Sequence, residues 1–137
     1  MKRLINITGL PGSGKSTLAA LLAQELDGVM IAADDYFIGP DAQYHFDASR
    51  LGEAHIDCQR RVCESLTREP EVDVVIVHNT GRTQWERSVY RATAEQVGAQ
   101  YTEIYVSTHL TDEELAARNV HGVPASTIGK MRKTWQF

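Results

Sequence analysis

Cysteine is scarce: Cys58 and Cys63 are the only two among 137 residues. Their spacing fits no zinc-ligand pattern, and two thiols build no disulfide framework. They read as small buried side chains on a helix. Basic residues are not in excess. Fourteen Lys and Arg stand against 18 Asp and Glu, a formal net charge of −4. That excludes the broad positive field of a DNA-packaging or architectural protein, though not a local basic groove. No apolar run approaches the roughly 20 residues of a membrane-spanning helix. Leu4-Ile5-Asn6-Ile7 is too short for a signal-peptide core. The expected compartment is the reducing cytoplasm.

What is present is ordinary for a soluble globular chain, 42% hydrophobic and 23% charged. Residues 1–137 suit one domain. Leu4–Thr8 reads as a buried strand, followed by a glycine-rich turn. A helix then carries Leu18, Leu21, Leu22 and Leu26 on one face. Val29–Ala32 is a second strand, ending at Asp34-Asp35, and residues 36–48 are loop. The next helix has Leu51, Ala54, Cys58, Val62 and Leu66 as its apolar stripe. Val72–Val77 is apolar on both faces except at Asp73, as in a central parallel strand.

Thr83 with Glu86, and Thr111 with Glu114, are capping boxes that open two more helices. Trp85, Val89 and Ala92 are expected on the inner face of the first, Trp85 as a core anchor rather than a stacking platform. Glu103–Val106 is a fourth strand between them, and the second, short helix ends near Arg118-Asn119. Pro124 starts a last helix with Ile128, Met131 and Trp135 inward. Strands alternating with helices predict an α/β fold. The expected architecture is a three-layer sandwich, a parallel sheet of about four strands with helices on both faces.

Gly9-Leu10-Pro11-Gly12-Ser13-Gly14-Lys15-Ser16 spells G-x-x-x-x-G-K-[ST] between a strand and an amphipathic helix. Glycines let successive backbone N–H groups turn inward on phosphate oxygens, and the helix N-terminus adds positive potential. Gly9, Pro11, Gly12, Ser13 and Gly14 are therefore expected to form the phosphate cradle of a P-loop NTPase, holding a nucleoside triphosphate. Lys15 is expected on the β- and γ-phosphates, Ser16 on Mg²⁺ and Thr17 on the α-phosphate.

Asp34-Asp35 follows the second strand and should share the sheet edge with that cradle. Asp34 is assigned as the base that takes the acceptor's hydroxyl proton. Asp35 is either a magnesium partner or a helix cap. The third strand ends at His78-Asn79, without the acid that many P-loop proteins place there. Water and Ser16 then hold the metal, or Asp34 and Asp35 help. Positive charge for the transition state is expected from Arg82 or Arg118, the latter ahead of a loop, 119–124, that can fold over the nucleotide.

Ala33-Asp34-Asp35-Tyr36-Phe37, Tyr44-His45-Phe46-Asp47, Leu51-Gly52-Glu53-Ala54-His55, Asn79-Thr80, Trp85-Glu86 and Glu114 through Pro124 occur in one order. In that order the chain resembles the small P-loop kinase-like domains related to the bacteriophage polynucleotide 5′-kinase. Within them it is similar to the branch found in NEDD-type ubiquitin-ligase-binding proteins and in many phages. The resemblance spans nearly the whole chain. It implies ATP, Mg²⁺ and a nucleic-acid or nucleoside hydroxyl as acceptor, with the general base at Asp34 and the lid arginine at Arg118. No protein partner is visible, and a phage gene would place the protein in its host's cytoplasm.

Three positions depart from the pattern. Phe37 stands where the phage kinase has an acceptor-binding arginine. Val120-His121-Gly122 shortens the basic lid. His78-Asn79-Thr80-Gly81 replaces an Asp-Asn-Thr-Asn run. Asp34, Phe37, Asn79 and Arg82 are the positions expected at the acceptor. Three functions stay open: a polynucleotide kinase acting on a 5′ end or a hydroxylated base, a nucleoside or sugar kinase, and a nucleotide-gated module without turnover.

Overall fold

The computed structural model describes all residues, 1–137. β1 (Arg3–Thr8), β2 (Val29–Ile31), β3 (Val74–His78) and β4 (Gln100–Tyr105) form one parallel sheet in the order β2-β3-β1-β4. β1 is central, with Ile5 facing Ile76 in register on one side and Thr102 on the other. The helices are α1 (Lys15–Leu26), α2 (Leu51–Arg68), α3 (Gln84–Val97), α4 (Asp112–Arg118) and α5 (Ala125–Lys133). Right-handed crossovers decide their faces. The β1-to-β2 connection runs opposite to the next two, so α1 covers one face and α2 and α3 the other.

Alternation along the strands fills both layers. Ile5, Ile7, Val74 and Ile76 meet Ala19 of α1. Leu4, Val75 and Val77 meet Ala54, Cys58 and Val62 of α2 and Tyr90 and Ala94 of α3. A third cluster, Leu10, Leu115 and Ile128, ties the glycine-rich loop to α4 and α5. Each fully buried leucine or isoleucine contributes about 1.5–3 kcal/mol.

Several expected core positions lie elsewhere. Leu21 is exposed because Ala19 centres the buried face of α1, with Leu18, Leu22, Ala23 and Leu26 around it. Leu51 is also exposed, at the start of α2. On α3 the inward residues are Arg87, Tyr90 and Ala94, while Trp85 and Ala92 face solvent. Charge pairing makes that rotation possible. Arg87 Nε lies 3.1 Å from Glu103 Oε1, and its Nη1 donates to the Gly81 carbonyl at 2.6 Å. A buried cation satisfied in this way displaces the apolar stripe that sequence alone suggests.

Both capping boxes are formed, Thr83 with Glu86 and Thr111 with Glu114. α4 has only seven residues, too few to hold a helix without caps and packing. Thr111→Ala is therefore expected to cost about 1 kcal/mol, read as a lowered urea midpoint with an unchanged slope.

Candidate active site

The cleft lies at the carboxyl ends of the strands, where such sheets bind ligands. It encloses about 990 Å³ and is lined by Pro11, Gly12, Gly14, Lys15, Ser16 and Thr17 on one side and by Asp34, Tyr44, Arg118 and His121 on the other. Gly12 has φ 80°, and a Cβ there would lie 2.4 Å from the Leu115 carbonyl oxygen. Only glycine lets the loop press on α4. Gly14, at φ 100°, caps α1, and nothing lies within 4 Å of where its Cβ would be. That open space is where the cradle can receive a ligand.

Gly9 and Ser13 do not line the cleft. Gly9 donates its N–H to the Thr80 carbonyl at 3.1 Å, and the Ser13 hydroxyl is buried beneath the loop without a partner. They shape the cradle from below. Burial lowers the Lys15 pKa to about 8, against a smaller opposing pull from Asp34. Ser16 Oγ stands 3.5 Å from His78 Nδ1, a long contact. Burial, the leading cause, also lowers the His78 pKa, so the imidazole is neutral at physiological pH.

Residues Ala33–Phe37 form a 3₁₀ turn that carries both aspartates to the cleft. Asp35 Oδ2 accepts the Ala32 N–H at 3.0 Å and lies 3.4 Å from Arg61 Nη1. The expected cap is formed, and Asp35 also lines the cleft. Asp34 points into the cleft. Tyr44 Oη donates to its Oδ1 at 3.1 Å, and His121 Nε2 lies 3.3 Å from its Oδ2. Burial first, and then the Asp34 charge, raise the Tyr44 pKa far above its ordinary value, so the phenol remains a donor.

The loop bearing His121 is fastened by Asn119. Its Oδ1 accepts the N–H groups of His121 at 3.2 Å and Val123 at 2.9 Å, and its Nδ2 donates to the Ala116 carbonyl at 2.9 Å. The sequence puts Asn119 and His121 in a loop that can fold over the nucleotide, but assigns neither of them, nor Tyr44, to Asp34. The run Tyr44-His45-Phe46 lies in a loop without periodicity, and nothing local connects it to Asp34.

The remaining expected residues are divided. Arg118 is exposed and lines the cleft beside this loop. Arg82 also lines it, with Nη1 donating to the Thr134 carbonyl at 2.9 Å. Phe37 is corrected: it is 5% exposed, inside the core with Tyr36, Tyr44 and Phe46 around it, and cannot touch an acceptor. A large apolar ring has more to gain beneath the turn than in the wet cleft. Asn79 lines the cleft, but its Oδ1 accepts the Ala33 N–H at 2.8 Å. It holds the aspartate turn in place.

The donors available for a metal are the Ser16 hydroxyl and the carboxylates of Asp34 and Asp35. No group of three or more His, Cys, Asp or Glu side chains has metal-binding geometry. Hard oxygen donors too few to form a cage fit Mg²⁺, which keeps waters and shares substrate phosphates.

The sequence profile of the AAA domain family matches residues 4–137. NEDD4-binding protein 2 from Homo sapiens is 37% identical over 136 residues, which are 97% of this chain and 8% of that protein. The chain thus spans a small part of the relative that it matches. Among solved structures, a chain of the Pnkp1/Rnl/Hen1 RNA repair complex superposes with TM-score 0.74 and 21% identity, over 97% of this chain and 43% of that one. A gluconokinase from Sinorhizobium meliloti 1021 gives TM-score 0.65 and 17% identity, over 98% and 75%. The Mycobacterium tuberculosis APS kinase CysC, in complex with AMPPNP and APS, gives 0.62 and 21%, over 88% and 70%. At these identities the solved structures establish the shared P-loop kinase fold. No helix of the chain is long and apolar enough to cross a membrane.

Proposed function

The chain belongs to the AAA domain family, and from that premise we propose that it transfers the γ-phosphoryl group of ATP to a hydroxyl of a nucleic acid, at a 5′ end or on a hydroxylated base. The observation that carries this is the placement of Asp34. Its carboxylate shares one cleft with Lys15 and is held between Tyr44 and His121.

Each residue has a task in such a transfer. The backbone N–H groups of the cradle and the start of α1 take the phosphate oxygens. Lys15 and Arg118 offset the negative charge of the phosphoryl group in transit. Mg²⁺ would be held by Ser16 and the Asp35 carboxylate and would supply charge neutralisation for the phosphates. Asp34 accepts the acceptor's hydroxyl proton as the new P–O bond forms and the bond to the β-phosphate oxygen breaks. The products are ADP and the phosphorylated acceptor. Tyr44 and His121 keep Asp34 in the orientation that this proton transfer needs.

The likeness to a chain of an RNA repair complex supports a nucleic-acid acceptor. The net charge of −4 and Phe37 in place of an arginine favour the second reading, a small-molecule kinase. The test is transfer of labelled γ-phosphate to 5′-hydroxyl DNA and RNA, duplex DNA with hydroxymethylated pyrimidines, nucleosides and simple sugars. The expected label falls on a nucleic acid, with an affinity that weakens steeply with salt. Label on sugars alone, with a flat salt response, overturns the proposal.

A further inference from the structure

A second cavity, of about 360 Å³, opens between α2 and α3 and takes no part in the chemistry above. Asn6 of β1 lies on its floor, His55, Ile56 and Gln59 come from α2, and Trp85 comes from α3. It adjoins the phosphate cleft, since His55, Asn79, Gly81 and Glu86 line both.

Two features there have no structural use. Trp85 is 71% exposed and Ile56 68% exposed, a cost in hydration that neither side chain recovers by packing. His55 and Gln59, one turn apart on α2, are half-buried and make no hydrogen bond within the chain. Their neighbours Asp57, Arg60, Arg61 and Glu64 are all paired. The Asn79 amide nitrogen donates to Cys58 Sγ at 3.6 Å and to Tyr90 Oη at 3.4 Å. The crevice thus combines an indole face, unused donors and acceptors, and a volume in the range of small-molecule sites, about 300–1,000 Å³. Such a combination suits a flat ring with a polar edge.

We propose that this crevice binds a nucleobase of the acceptor, stacked on Trp85 with its polar edge toward Gln59, His55 and Asn79. The proposal rests on the phosphotransferase reading above and names the part of the acceptor that the enzyme grips. Asn79 connects the two places. Its Oδ1 accepts the N–H of Ala33, the residue before Asp34, so a base seated here lies against the side chain that positions the catalytic turn.

The test uses the 137-residue chain carrying Trp135→Phe, which leaves Trp85 as the single tryptophan of the two. Indole fluorescence is followed at saturating ADP and Mg²⁺ while thymidine, a short 5′-hydroxyl oligothymidylate or gluconate is added. Quenching by the two base-bearing probes and not by gluconate is expected. In the otherwise unaltered chain, Trp85→Ala is expected to raise the acceptor KM about 10- to 100-fold, with the KM for ATP unchanged and most of the loss recovered in Trp85→Phe. No quenching by any base-bearing probe, or an unchanged acceptor KM in Trp85→Ala, overturns the proposal. Quenching without transfer to any acceptor overturns the kinase reading and leaves the crevice assignment standing. Transfer to a polyol without quenching does the reverse.

Discussion

Asp34→Asn is expected to slow phosphoryl transfer by about 10²- to 10⁴-fold, the usual contribution of a positioned general base, while ATP affinity changes little. Asparagine keeps the shape of the side chain and can still accept the Tyr44 hydroxyl that now bonds Oδ1 at 3.1 Å. It cannot take up a proton. The loss should therefore fall on kcat rather than on the acceptor KM.

One coupling must be controlled. The Asp34 charge raises the Lys15 pKa against the effect of burial, so removing it lowers that pKa further. Kinetics on the acid side of neutrality, where Lys15 holds its proton more fully, isolate the loss of the base. An Asp34→Asn enzyme with undiminished kcat at those pH values would falsify the assignment.

Lys15→Met is expected to abolish most activity in a different way. Removing one charge-stabilising donor in a preorganised site costs about 10²- to 10³-fold in kcat, and here the ground-state hold on the phosphates is lost as well. Nucleotide affinity, measured by calorimetry, should fall together with turnover. The unliganded protein should behave in the opposite sense. Burial lowers the Lys15 pKa from 10.5 to about 8. Below pH 8 the lysine is charged in the folded and unfolded states alike, and the folded state carries the full desolvation cost, on the order of 2 kcal/mol after solvent screening.

Between pH 8 and 10.5 the unfolded chain binds more protons, so wild-type stability rises with pH. Lys15→Met should thus be more stable than wild type at pH 7, with the gain fading as pH rises through that window. Denaturant melts at pH 7 and 10 check this. Phosphate oxygens facing Lys15 reverse its shift, so ATP binding at pH 8.5 should take up about three-quarters of a proton and at pH 6.5 almost none. Titrations in buffers of different ionisation enthalpy measure that uptake. A variant that binds ATP as tightly as wild type would remove Lys15 from the site.

Much of this protein was legible in its sequence because the relevant physics is local. The run Gly9–Ser16 forms its loop from glycine conformations and a helix N-terminus within a few residues. Thr83 with Glu86 and Thr111 with Glu114 close their boxes across a single turn. Alternating strands and helices, with a strand apolar on both faces at Val74–Val77, determined a parallel sheet between two helical layers. The topology of such a sheet put Asp34 and Lys15 at one edge before any coordinate was known.

Tertiary structure alone decided which side chains meet across that edge. Tyr44 and His121 are separated by 77 positions in the chain, and only folding brings their rings to 4.6 Å apart and both onto Asp34. The exposure of Trp85 depended on Glu103, a residue of β4 that neutralises Arg87 and lets a cation occupy the inner face of α3. Phe37 went inward because Tyr36, Tyr44 and Phe46 offered it an aromatic enclosure. Periodicity reports the preference of each residue for water or core. Which partner satisfies a charge, a ring or a carboxylate is a property of distant segments brought together, and no local pattern encodes it.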